Sequence, residues 1–122
     1  MDIKNNKPTV EQLQELTDAE LSQAVLIKLH PKNKNDIKPD IFGNGSVLRM
    51  GMCDKWVSFD IKNWPDMGLL ANKYKIGAIY SAVTKGWAAF YVDYDNNTVN
   101  RIDCYHENEL RAKAIVFLMM EI

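Results

Sequence analysis

Cysteine is scarce in this chain of 122 residues, and the two present, Cys53 and Cys104, stand far apart. Such a pair makes no disulfide framework of the kind that staples small exported domains. Long hydrophobic runs are missing too. The longest, Ala114 to Met120, falls well short of the about 20 apolar residues that span a bilayer. Charge of one sign is also lacking: 15 Lys and Arg face 16 Asp and Glu, for a formal net charge of −1. A dedicated duplex-DNA binder is clearly basic, and a DNA mimic is strongly acidic; neither fits. Met1 to Pro8 is polar and has no apolar segment of the signal-peptide kind. Without an export signal, both cysteines are expected as free thiols and the compartment is expected to be cytoplasmic. There is no internal repeat and no low-complexity tract.

What is present is ordinary for one globular domain, with 47% apolar and 25% charged residues. The stretch that organises it is Asn108 to Ile122, NELRAKAIVFLMMEI. Asn108 is a good N-cap, and Glu109 suits the positive end of the macrodipole. From Ala114 to Met120 no side chain is polar. A surface helix would show a single apolar stripe, so this one is expected to be buried on several sides.

Upstream, Thr9-Val-Glu-Gln12 reads as a capping box for a short turn through Leu16. Thr17-Asp-Ala-Glu20 is a better one. It opens a helix over 18–29, with Leu21, Ala24, Val25, Lys28 and Leu29 at helical spacing. His30-Pro31 ends it. Residues 31–40, PKNKNDIKPD, read as a basic loop. Strands are expected over 46–52, 56–61, 78–83, 87–94 and 98–105, separated by turns at Gly43-Asn-Gly45, Asp54-Lys55, Thr84-Lys-Gly86 and Asp95-Asn-Asn97. Between the second and third strands, Asn63-Trp-Pro-Asp66 opens a helix with Met67, Leu69, Leu70, Tyr74 and Ala71 facing inward. The short connections make the sheet mostly antiparallel. The expected fold is α+β in a single domain over 1–122: one curved sheet of about five strands packed on helices, with the C-terminal helix buried.

Trp56-Val-Ser-Phe-Asp60, continued by Asn63-Trp-Pro-Asp66, and Asn108-Glu-Leu-Arg-Ala112 running into Ile115-Val-Phe-Leu118, occur together with Leu16-Thr-Asp-Ala-Glu-Leu21. In this order they resemble the NinX-like proteins of tailed bacteriophages, a family of unknown function. The likeness covers roughly residues 16–30 and 56–122. The family would have proline where Glu109 stands, and the basic loop and N-terminal extension depart from its pattern. The resemblance implies a phage or prophage origin and expression inside a bacterium. It implies no chemistry.

Few residues suggest a reaction. Asp93, Asp95 and Asn97 mimic half a calcium loop, but Thr98 and Cys104 stand where glycine and glutamate are needed, so a hairpin turn is the better reading. Cys53, Cys104, His30 and His106 lack the paired close spacings of structural zinc. A Cys104–His106 nucleophile pair is set back by its strand spacing, about 6–7 Å between Cα atoms. No cofactor or metal is therefore expected. Met50, Met52, Met119 and Met120 read as core filler. Lys28, Lys32, Lys34 and Lys38 could contact phosphate, but no aromatic is interleaved for base stacking, so a solvated loop outweighs a nucleic-acid site.

The remaining set is aromatic: Trp56, Trp64 and Trp87, with Tyr91 and Tyr94. Exposed tryptophans anchor interfaces, although they also cap the edges of small cores. Two functional classes stay in play. One is a stoichiometric adaptor or inhibitor that binds a host protein or complex through Trp56, Asp60, Asn63, Trp64, Asp66 and Arg111. The other is an enzyme or small-ligand binder with a pocket between 56–66 and the C-terminal helix, offering Asp60, Asp66, Arg111 and His106. Arg111 sits in a helix first turn, where the macrodipole disfavours a cation, so it is expected to be forked onto a carboxylate, Asp60 or Asp66.

Overall fold

A computed structural model describes residues 8–39, 46–50, 55–95 and 98–120, with the side chains of 39, 46–50, 55–57, 93–95 and 98–103 left out. Two capping boxes start the chain. Thr9 Oγ1 accepts the Gln12 amide and opens α1 (Val10–Gln14); Thr17 Oγ1 accepts the Glu20 amide and opens α2 (Asp18–Leu29). In both, the third helical residue returns its side chain to the cap amide, as the sequence spacing demands. Pro31 ends α2 by pushing His30 out of the helical region, to φ −133° and ψ 65°.

Residues 31–40 are not simply a loop. Pro31–Asp36 winds into a 3₁₀ run, and Ile37–Pro39 forms strand β1. Ile37 is buried, which is why this segment docks rather than floats. Strands β2 (Ser46–Met50) and β3 (Lys55–Phe59) complete an antiparallel sheet in the order β1-β2-β3. The expected alternation of the 56–61 run holds where it is described: Phe59 and Ile61 are buried, Ser58 is exposed. Gly43-Asn-Gly45 and Asp54 lie outside the described residues, as do Asn96 and Asn97.

After β3 the chain makes a wide π-type turn at Trp64–Gly68 and continues as α3 (Leu69–Lys73). Met67 and Ala71 are buried and Leu70 and Tyr74 half-buried, the stripe that helical spacing sets. Leu69, expected to face inward, is 57% exposed, because it stands two residues from Met67 and so on the far side of the helix. Lys75, at φ 60°, closes α3: the Ile76 amide reaches back to the Ala71 carbonyl in a Schellman-type turn.

Strands β4 (Gly77–Ser81), β5 (Gly86–Asp95) and β6 (Thr98–His106) form a second antiparallel sheet, ordered β4-β5-β6. The expectation of one sheet of about five strands is thereby corrected, among the described residues, to two sheets of three. A side-chain period of two carries no information on which strands share a sheet. The α+β class and the single small domain stand.

Helix α4 (Glu109–Met119) packs on β5 and β6 with one side and on α2, α1 and the π turn with the other. Ala112, Ala114, Ile115, Val116 and Phe117 have no exposed surface. Tyr74 packs on Phe117, ring centroids 5.2 Å apart. Leu118 and Met119 are only half-buried, so the apolar run is wider than the core it enters. At the C-terminal end of α4, Lys28 Nζ donates to the carbonyls of Phe117 and Met120 and lies 4.6 Å from the Phe117 ring centroid. A cation at the carbonyl end of a helix is favourable, here beside the Met120 amide that also donates to the Phe117 carbonyl. Lys28 is therefore a helix cap, not the phosphate contact that was considered for it. No helix among the described residues is long and apolar enough to cross a membrane.

Candidate functional site

The N-terminal half of α4 is where polar groups gather. Asn108 caps the helix, its Oδ1 accepting the Arg111 amide at 2.9 Å. The Asn108 amide in turn donates to His106 Nδ1 at 2.9 Å, which leaves the imidazole proton on Nε2. Arg111, with 9% of its side chain exposed, reaches across to the start of the chain. One guanidinium nitrogen pairs with Asp18 Oδ1 at 2.8 Å; the other donates to the carbonyls of Gln14 at 2.8 Å and Leu16 at 2.5 Å.

The expected pairing of Arg111 with Asp60 or Asp66 is therefore corrected: its carboxylate is Asp18. The α1–α2 link needs donors for its two carbonyls, and a planar fork serves both carbonyls and the carboxylate at once. Asp60 and Asp66 instead shape their own loop. Asp66 Oδ2 accepts the Asp60 amide at 3.0 Å, and Asp60 Oδ1 accepts the Lys62 amide at 2.9 Å. The buried Ser22 hydroxyl accepts the Ile61 amide at 3.1 Å and donates to the Asp18 carbonyl at 2.8 Å, tying that loop to α2.

Between these elements lies an open cleft of about 500 Å³, lined by Asp18, Lys62, His106, Glu107, Asn108 and Arg111. It sits between the 60s loop and the C-terminal helix, where sequence reasoning looked for one, but of the four polar residues offered only Arg111 and His106 line it. Lys62 Nζ stands 3.2 Å from Asp18 Oδ2. Burial alone would raise the Asp18 carboxyl; its bonds to Arg111 and Lys62 outweigh that and hold it below its ordinary value. Burial, aided by the Arg111 charge, lowers the His106 imidazole against the opposing pull of Glu107 and Asp18. Asp18 and Lys62 were missed. Asp18 lies in the first turn of α2, and no local spacing links it to residue 111.

Two residues after Lys62 stands Trp64, 49% exposed. Its ring lies flat over Gly68: a Cβ there would meet ring carbons at 2.4 Å, so only glycine fits. Lys113 Nζ stands 5.4 Å from the ring centroid and 3.1 Å from Glu109 Oε1, a nearly covered cation on the core helix. Asn63 and Pro65, its neighbours in sequence, are exposed, and so is Leu69. The Trp56 side chain lies outside the described part; its backbone pairs with Arg49 in the first sheet. Trp87 packs edge-on against Tyr80 at 5.3 Å and Tyr91 joins the core periphery, so both serve the second sheet.

Cys104 is a buried thiol that burial pushes up, with Sγ 3.6 Å from Gln14 Nε2. His106 Nδ1 is engaged by Asn108, and no hydrogen bond joins His106 to Cys104 among the described residues. They form no nucleophile pair. Cys53 lies outside the described residues. No group of three or more metal-ligating side chains is found among the described residues.

Compared with family models, curated proteins and solved structures, the chain matches none of them.

Proposed function

We propose that this protein is a stoichiometric adaptor or inhibitor that binds a host protein or complex, with Trp64 as its anchor. The observation that carries the reading is the way Trp64 is presented. It is half exposed yet fixed from beneath by Gly68 and flanked by Lys113. An aromatic ordered before binding loses little freedom when a partner covers it, and such residues dominate interface energetics. The π turn that carries it is itself a feature often found at functional sites. Leu69 widens the apolar contact, and Asn63, Asp66 and Lys62 supply a polar rim. Asp60 and Arg111 act from behind, by shaping the loop and tying α4 to the α1–α2 link. The bacteriophage resemblance supplies the setting: a phage or prophage protein acting in the bacterial cytoplasm, with counter-defence among its roles.

The test is quantitative capture from host lysate with wild type, Trp64→Ala and Leu69→Asp. A single partner held near one-to-one by wild type, and lost at least tenfold by both variants while Leu69→Asp melts like wild type, supports the reading. Capture that is indifferent to both substitutions refutes it.

The cleft favours a second reading, a small-ligand site. Lys62, the His106 imidazole and Asn108 would offer donors to a polar ligand held beside the Asp18–Arg111 pair. A ligand that raises the melting temperature of wild type but not of Lys62→Ala supports it over the first.

A further inference from the structure

The second sheet has two edges, and they are treated differently. At β6, Gln14 Nε2 of α1 donates to the Tyr105 carbonyl at 2.8 Å, so at least one outer carbonyl of that edge has a partner. At β4, no backbone hydrogen bond other than those to β5 is made by residues 77–81 among the described residues. Natural proteins blunt an open edge with lysine, proline or a bulge. From Ile76 to Thr84 this chain has neither charge nor proline. The register with β5 runs without a break from Gly77↔Phe90 to Ser81↔Gly86, so there is no bulge either. Ile79 is 64% exposed and Tyr80 52%.

The strand is also complementary to itself. Let a second β4 lie antiparallel with a two-fold axis at Ile79. Gly77 then faces the other copy's Ser81, Ala78 faces its Tyr80, and Ile79 faces Ile79. Each large side chain meets a small one, and the single branched apolar residue meets its twin. On that face of the sheet the register places Ile79, Ala88 and Tyr105 in one row. Pairing would join two such rows across the axis into one six-residue ladder.

We propose that β4 is a homodimerisation edge: a second copy of this chain pairs with it antiparallel about Ile79, giving a continuous six-stranded sheet. Main-chain hydrogen bonds supply the attraction and the Ile79 and Tyr80–Ala78 contacts set the register. A five-residue edge buries less than the about 800 Å² per partner of a standard interface, so the dimer is expected to be micromolar. The interface uses none of the cleft residues and neither Trp64 nor Leu69.

Sedimentation velocity on the purified chain from about 1 to 200 µM, a span bracketing micromolar affinity, tests this. Wild type should pass from monomer to dimer. Ile79→Lys, which sets two like charges face to face, should stay monomeric at every concentration and melt within a degree or two of wild type. A second measurement fixes the geometry. In a Cys53→Ser background, Ile79→Cys should oxidise to a disulfide-linked dimer, because the paired Cα atoms stand about 4.5–5.5 Å apart. Val83→Cys should not, because its twin is several residues off register. Wild type that stays monomeric to 200 µM, whether or not it binds an extended peptide at this edge, overturns the proposal. So does a dimer that survives Ile79→Lys, or crosslinking at Val83→Cys equal to that at Ile79→Cys.

Discussion

Replacing Arg111 by lysine keeps the charge and removes the fork. The nearly covered guanidinium makes three bonds, to the Asp18 carboxylate and to the carbonyls of Gln14 and Leu16. A lysine ammonium ends on a shorter, single-pointed head and can hold the carboxylate or the carbonyls, but not all three in plane. Two acceptors are then orphaned in a largely covered place, at about 1–3 kcal/mol each. Partial hydration recovers some of that, so Arg111→Lys should cost about 2–4 kcal/mol. Arg111→Met should cost about 3–5 kcal/mol, because Asp18 is left with Lys62 alone. Urea unfolding is the assay; with a slope of about 1–3 kcal/mol per molar, the midpoint should fall by about 1–2 M. A double-mutant cycle with Asp18→Asn isolates the pair and should return about 1–3 kcal/mol of coupling. Arg111→Lys within about 0.5 kcal/mol of wild type, or a cycle with no coupling, would refute the reasoning.

Phe117→Ala should lower stability by about 3–5 kcal/mol, since the ring is fully buried and its loss leaves a cavity beneath Tyr74; calorimetry checks it. Lys75→Gly should stabilise by about 0.5–1 kcal/mol, because Lys75 holds φ 60° at the end of α3, where glycine is unstrained; the urea midpoint should rise. Burial pushes the Lys28 ammonium down to about 8. Its folded pKa lies below the unfolded value of about 10.4, so the unfolded chain binds the extra proton between the two. Stability should therefore rise with pH from about 8 to 10.4, and Lys28→Met should flatten that rise in a pH series of melts. His106, lowered from 6.5, works in the acid direction: stability should drop as pH falls below about 6.5, and His106→Gln should remove that drop.

Local rules carried far in this chain. The Thr17–Glu20 box and the end of α2 at His30-Pro31 depend on residues three or fewer apart, so their spacing settles them. The burial of α4 followed from composition alone, because a helix with no polar face between Ala114 and Met120 has nowhere else to go. Long-range pairings were a different matter. Asp18 and Arg111 lie 93 residues apart, and no local spacing links them. The 60–66 carboxylates looked like partners because they are close in the motif order, yet they are consumed by their own loop. The division into two sheets was hidden for the same reason: strand patterning is silent about neighbours. Trp64 was named with the other aromatics as an interface anchor or a cap on the core edge, and it is 49% exposed. What fixes it, the bare Cα of Gly68, has no side chain to read.

The Arg111 fork has a consequence for how the chain is made. Helices α1 and α2 leave the ribosome long before α4, and they emerge with Leu13, Leu21, Val25 and Leu26 ready for a core that does not yet exist. Their link stays unclosed until a residue some 95 positions later arrives to hold the carbonyls of Gln14 and Leu16. Vectorial synthesis therefore gives this domain no early resting point: the nascent chain carries sticky, half-assembled helices until its latch is translated. A cell that slows or stalls translation before Arg111 would accumulate a chaperone client rather than a folded fragment. For this domain, closure of the α1–α2 link waits on the synthesis of α4.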